Sequence, residues 1–174
     1  MKNYKYLIVL FLTLSVMPAF ANQTLRLDNG KTFVISDDFK KSDQMSTKDT
    51  ATYYTENKQA FIQTLNLGDG FDIITLEELK QRRDEFTNSF MSGVKSGGGN
   101  YENLTKVVSQ TKSGIPILTL NYDLINASGI KIATTTYLLY TNGRMNAVTC
   151  GCLKETLSQY AVKFSKVGAQ IYNF

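Results

Sequence analysis

The sequence of 174 residues contains no histidine and no tryptophan, and it has only two cysteines and two prolines. Without histidine the chain cannot form a Ser-His-Asp triad, a Cys-His dyad or a metal site with imidazole ligands. A hydrolase would need a nucleophile that works without imidazole, such as a Ser-Lys pair, and no motif indicates one. We therefore expect a protein that is not an enzyme and that holds no cofactor and no metal ion.

Residues 1–21 have the pattern of a secretory signal peptide. Two lysines are followed by an apolar stretch at residues 7–16, and Ala19-Phe20-Ala21 gives the small-x-small pattern that signal peptidase accepts. The apolar stretch is shorter than the ~20 residues needed to span a bilayer, so a membrane anchor is the less favoured alternative. We expect cleavage after Ala21, a single mature domain of residues 22–174 that begins at Asn22, and a periplasmic or secreted location.

The charge balance does not indicate a nucleic-acid partner. The chain has 19 basic and 15 acidic residues and a net charge of +4, and loss of the two lysines of the signal peptide leaves +2. The mature chain has no long basic run, and no later segment is apolar enough to span a membrane. We expect a protein or a component of the cell envelope as partner, while the oligomeric state stays open.

Strand signals occur in both halves of the mature chain. Alternating apolar and polar residues predict a β-hairpin at residues 24–35, since Asn29-Gly30 is the preferred pair for a type I′ turn. The polar residues 36–50 are typical of a loop. Further strands are expected at 52–55 and 59–67, and then in a four-strand meander at 104–111, 118–124, 130–141 and 145–152, whose last turn is Asn142-Gly143.

Two amphipathic helices are predicted, one before the meander and one after it. The first begins at a capping box, Thr75-Leu-Glu-Glu78, has apolar residues at helical spacing over about five turns and ends at the glycines 97–99. The second has an apolar stripe within residues 153–168. Because helices do not alternate with strands, we expect an α+β fold in which two helices cover an antiparallel sheet.

This order of elements resembles the PsbP-like and DcrB-like exported proteins. The resemblance covers most of the mature chain and is carried by the opening hairpin, by TLEELKQRRDEFTNSF, by KIATTTYLLYTNGRMNAVTCGC and by ETLSQYAVKFSKVGAQIYNF. It implies a PsbP-like sandwich and an accessory or binding protein without catalysis. The family has no catalytic signature, so the resemblance implies no functional residues.

Cys150-Gly151-Cys152 is the most specific chemical feature. In a strand, residues i and i+2 point to the same face, and two steps of about 3.3–3.4 Å bring their Cα atoms to the upper edge of the disulfide range. In an oxidising compartment this pair suggests a disulfide or a redox role, and two buried, inert thiols are the alternative. The helix expected after Cys152 would lower the pKa of that thiol. For copper(I), Met145 is a candidate third ligand.

Three weaker candidates accompany the cysteines. Asn66, Asp69 and Asp72 carry oxygen ligands of the kind calcium prefers, although turn hydrogen bonds are the more common use of such residues. The glycines 97–99 follow a helix and lack the ending of a phosphate loop, which predicts a connector. Several aromatic residues would line an apolar groove or a partner surface, or belong to the core: Tyr53, Tyr54, Tyr137, Tyr140, Tyr160 and Tyr172.

Three hypotheses for function follow from these features. The favoured one is an exported, non-catalytic accessory or binding protein that engages a protein or envelope partner. The second is a thiol redox or copper-handling protein that uses Cys150 and Cys152. The third is a carrier of a small apolar ligand between the sheet and the helices.

Overall fold

The computed structural model describes residues 22–69, 74–141 and 143–174. The expected signal peptide, with Ala19 and Ala21, and Asp72 lie outside these described residues, whereas Asn22 begins the first strand. The strands are β1 Asn22–Arg26, β2 Thr32–Ser36, β3 Phe39–Lys41, β4 Thr50–Thr55, β5 Ala60–Asp69, β6 Asn100–Gln110, β7 Pro116–Ile125, β8 Lys131–Thr141 and β9 Arg144–Leu153. The α-helices are α1 Leu76–Gln81, α2 Arg83–Ser96 and α3 Leu157–Tyr172.

The strands form two antiparallel sheets, which confirms the predicted fold class. β1 and β2 pair as a hairpin, and the other seven strands form one sheet in the order β3-β4-β5-β9-β8-β7-β6. The predicted meander is β6 to β9, and β9 also pairs with β5. The two halves of the chain therefore meet in the middle of the large sheet.

Each face of the large sheet has its own hydrophobic core, because apolar side chains on its central strands point to both sides. The first face is covered by the hairpin and α3, and the second by α1 and α2. The first core, the α3 core, includes Phe33, Ile35, Phe39, Ile62, Leu139, Val148 and Ile171. The second, the α2 core, includes Leu79, Phe86, Met91, Leu118, Leu120 and Leu138. Within the described ranges, no helix is long and apolar enough to cross a membrane.

The capping box starts the first helix as predicted. The Thr75 hydroxyl accepts the Glu78 backbone N–H at 3.2 Å, and the Glu78 carboxylate accepts the Thr75 backbone N–H at 2.8 Å. The single helix expected over about five turns is nevertheless divided. Arg82 has φ −96° and ψ 11°, so the backbone leaves helical geometry there and α1 and α2 form separate segments.

Two local predictions are wrong. The turn of the β1–β2 hairpin has three residues rather than two, since the Leu27 N–H donates to Lys31 O and the Gly30 N–H to Leu27 O. Gly30 has φ +83° but Asn29 has no positive φ, which fits a type I turn followed by a left-handed glycine. Residues 36–50 are not all loop, because Phe39 is fully buried in the α3 core and begins β3.

Candidate ligand-binding groove

The two cysteines lie in the α3 core, on one face of β9. Both are free thiols, each 1% exposed, and no disulfide joins them in the structure. Gly151 faces the opposite side, where a Cβ atom would lie 2.5 Å from the ring of Phe61, its partner on β5. The Cys-Gly-Cys sequence therefore leaves room for the Phe61 ring over Gly151 on one face of β9, while the two small thiols pack on the other face.

Burial controls the chemistry of both thiols. It raises the pKa of Cys150 to about 12, and the neighbouring Cys152 adds to the shift. Burial also raises the pKa of Cys152, against a hydrogen bond with Thr156 that lowers it. The lowered pKa predicted for Cys152 is therefore wrong, because burial outweighs the hydrogen bond. The helix expected directly after Cys152 begins only at Leu157, beyond a short 3-10 turn. The thiolate needed for exchange is disfavoured at neutral pH.

The residues considered for metal binding are not brought together. Met145 packs in the α2 core, across the sheet from the cysteines, so it is not placed to be a third copper ligand. Asn66 donates its side-chain amide to the Asp28 carboxylate and accepts the Gly68 N–H at 2.9 Å. The described part of the chain contains no group of three or more histidine, cysteine or acidic side chains able to hold a metal ion.

A groove of about 920 Å³ lies between α2 and the sheet face of the α2 core. α1 and α2 make their main sheet contacts with β6 and β7, so the part of this face formed by β5 and β9 becomes the groove floor. Floor side chains include Phe61, Gln63, Leu65, Leu67, Met145 and Thr149, and Phe86, Phe90, Gly93 and Val94 of α2 form the wall. We call this space the α2 groove.

Gly93 widens the wall of the α2 groove. It lies inside α2, where glycine is about 1 kcal/mol less favourable than alanine. A Cβ atom at this position would meet no atom within 4 Å. Packing among the described residues therefore does not require glycine here, and the missing side chain leaves space between the helix and the sheet.

The charges at the α2 groove compensate each other. Among the described residues that line it, the charged ones are Arg82 and Glu85. Arg82 Nε lies 2.9 Å from Glu85 Oε2 and Arg82 Nη2 lies 2.7 Å from Glu85 Oε1, and the guanidinium also stacks 4.8 Å from the centre of the Phe86 ring. A ligand in the groove thus meets an ion pair rather than a net charge.

A chain of hydroxyl groups reaches the floor of the α2 groove. The hydroxyls of Tyr122 and Thr136 lie 3.2 Å apart, and those of Thr136 and Thr149 lie 3.0 Å apart. Tyr122 and Thr149 line the groove, whereas Thr136 is fully buried. Burial raises the pKa of Tyr122, and its hydrogen bond with Thr136 opposes that shift, so the chain is neutral at physiological pH.

The tyrosines proposed for a groove lie elsewhere. Tyr137 and Tyr160 belong to the α3 core, Tyr53 and Tyr172 pack against it, and Tyr140 belongs to the α2 core. Tyr54 and Tyr160 also line a polar cavity of about 1020 Å³ that contains four lysines, Asp38 and Glu56. The tyrosine of the α2 groove is Tyr122, which alternates along β7 like a core residue and so gives no distinct sequence signal.

The glycines after α2 form a connector, as predicted, and they also close one end of the α2 groove. The helix ends where Gly98 adopts φ +84°, with the Gly98 N–H donating to Lys95 O at 2.9 Å and the Gly99 N–H to Val94 O at 3.2 Å. A Cβ atom at Gly99 would lie 3.0 Å from the side chain of Leu124 and 3.3 Å from Val94 O. Glycine thus allows the chain to turn tightly from α2 into β6.

Comparison with known proteins identifies the fold. Neither a protein-family model nor a curated protein sequence matches this chain. The solution structure of cyanobacterial PsbP (CyanoP) from Synechocystis is similar, with a TM-score of 0.67 and 12% identity over 91% of this chain and 96% of that one. A Pseudomonas aeruginosa protein of unknown function has a TM-score of 0.44 and 9% identity, over 86% and 94%. The chain has the PsbP-like fold, and the resemblance to DcrB stays a prediction.

Proposed function

We propose that this chain is a non-catalytic binding protein and that the α2 groove holds a small apolar ligand. The observation that carries the proposal is the groove itself. Its volume of about 920 Å³ lies within the range of about 300–1,000 Å³ typical of small-molecule sites. Its lining combines phenylalanine, leucine, valine and methionine side chains with polar groups on both floor and wall, and small-molecule sites likewise pair apolar surface with placed polar groups.

We propose that the protein acts after export. The pattern of residues 1–21 supports this location, and the intact mass of the protein from its own compartment should place its first residue at Asn22. An accessory role toward a protein or envelope partner, which the PsbP-like resemblance implies, is compatible with ligand binding. A carrier protein in that compartment would deliver an apolar molecule to such a partner.

Filling the α2 groove from α2 tests the proposal. The fluorescent probe N-phenyl-1-naphthylamine should bind the wild-type protein and be displaced by apolar molecules that co-purify with it. Gly93→Leu should weaken probe binding by about tenfold or more, since the new side chain occupies the groove and meets no atom at its Cβ.

Ser92→Leu is the matched control. Ser92 is the preceding, exposed residue of α2 and does not line the groove. The Ser92→Leu variant should bind the probe like the wild type, and both variants should keep the circular dichroism of the folded protein. Equal probe binding by Gly93→Leu and wild type would show that the α2 groove is not the ligand site.

A further inference from the structure

We infer that the ligand is an uncharged, single-chain amphiphile and that its hydroxyl group binds between Thr149 and Gln63 on the floor of the α2 groove. This inference rests on the proposed function of the groove. It comes from the unused hydrogen-bonding capacity of the floor and from the charges at its edge.

The hydroxyl chain on the floor has one proton more than it can use. Tyr122, Thr136 and Thr149 carry three hydroxyl protons but form two hydrogen bonds with one another, and no other described group accepts from them. Thr136 is 0% exposed, so its own proton must be used within the chain. The remaining donor is therefore at Tyr122 or Thr149, both of which line the α2 groove.

Either atom can be the donor in both hydrogen bonds, so a ligand can draw the spare proton to Thr149, and an acceptor lies beside that residue. Gln63 is the direct partner of Thr149 on the adjacent strand, and both line the α2 groove. The Thr52 hydroxyl donates to Met45 O at 3.0 Å, so it can only accept from Gln63, whose Nε2 lies 3.0 Å away. This fixes the orientation of the Gln63 amide, and no described group donates to its Oε1.

A donor and an acceptor side by side match a hydroxyl group, which can use both at once. A ketone can accept from the floor but has no proton for Gln63 Oε1. A carboxylate is disfavoured as well, because the one cation among the described lining residues, Arg82, is paired with Glu85. Burying an anion without a free counter-charge is costly. The apolar residues on both sides of Thr149 and Gln63 fit a hydrocarbon chain.

Three ligands of the same chain length separate these possibilities. Displacement of N-phenyl-1-naphthylamine is measured with 1-decanol, 2-decanone and decanoate at pH 8. We expect 1-decanol to displace the probe at about fivefold lower concentration than 2-decanone, the effect of about one hydrogen bond, and decanoate to be the weakest.

Two variants assign the preference to the floor. Gln63→Leu should remove the advantage of 1-decanol while 2-decanone binds within about twofold of wild type, because only the alcohol donates to Gln63 Oε1. Thr149→Val should weaken 1-decanol and 2-decanone alike, by about fivefold, because both accept from Thr149. Thr135→Val is the control, since Thr135 bonds to Asn121 on a neighbouring strand and does not line the groove. It should keep the wild-type preference, and thermal melts should show that all three variants fold.

The outcomes distinguish the two proposals. If the probe binds in the groove but the three ligands compete equally, or decanoate is the strongest, the inferred ligand class is wrong and the groove remains a binding site. If the preference for 1-decanol survives in Gln63→Leu, or if Thr149→Val binds both ligands like the wild type, the assigned residues are wrong. If Gly93→Leu leaves probe binding unchanged, the proposed function itself fails.

Discussion

At the scale of single residues, Cys150 and Cys152 illustrate how burial decides among three uses of one motif. The spacing allows a disulfide, a redox pair or two packed thiols, and strand alternation puts both sulfurs on one face in every case. In the structure this face is the α3 core, and the pKa of each thiol is raised by burial. Gly151 is required by Phe61 rather than by sulfur chemistry.

The raised pKa of Cys150 predicts a loss of stability in alkaline solution. Its folded value of about 12 exceeds the ordinary 9.0, so the thiol ionises first in the unfolded chain, and stability present below pH 9 declines as the pH rises toward 12. Urea denaturation at pH 8 and 10 should show a steeper loss for wild type than for Cys150→Ala. Burial raises the pKa of Tyr137 too, but both proteins share that effect. Equal slopes, or rapid reaction of the native thiols with a disulfide reagent at pH 8, would contradict buried thiols.

At the scale of elements, local sequence patterns predicted most strands and the capping box, because these depend on neighbours in the chain. The strands of the meander lie within a few residues of their predicted ends. β3 was missed because Phe39 has polar residues on both sides in the sequence, and its burial depends on distant strands. The break at Arg82 was missed because the apolar spacing of α1 and α2 is continuous across it.

Two glycines in helices should respond oppositely to alanine. Gly168→Ala in α3 places a Cβ atom against the Tyr137 hydroxyl, whereas Gly93→Ala in α2 meets nothing. The helical preference of alanine should therefore stabilise Gly93→Ala by about 0.5–1 kcal/mol, while overpacking should destabilise Gly168→Ala by about 1–3 kcal/mol. Urea denaturation of both variants measures the difference. Stabilisation of both would mean that α3 does not approach the sheet as closely as the structure places it.

At the scale of the whole molecule, the two faces of the large sheet are covered differently. The hairpin and α3 close one face, whereas α1 and α2 lie mainly over β6 and β7 and leave the α2 groove beside them. A groove-floor residue such as Leu65 has the same strand alternation as a core residue. None of the six tyrosines that the sequence suggested for an apolar groove lines the α2 groove, since the groove depends on the distance between elements far apart in sequence.

Ligand binding in the α2 groove should stabilise the whole domain, since the lining residues come from α2 and from strands β5, β7, β8 and β9, which separate on unfolding. A ligand that binds the folded state alone contributes about 2.7 kcal/mol at a concentration of 100 times its Kd. For a domain of this size that corresponds to a rise in Tm of about 5–10 °C. Scanning calorimetry with 1-decanol should show this rise in wild type and in Ser92→Leu, and little or none in Gly93→Leu. A rise of equal size in Gly93→Leu would mean that 1-decanol stabilises the fold from another site, which would leave the polar cavity beside Lys163 and Tyr54 as the next surface to test.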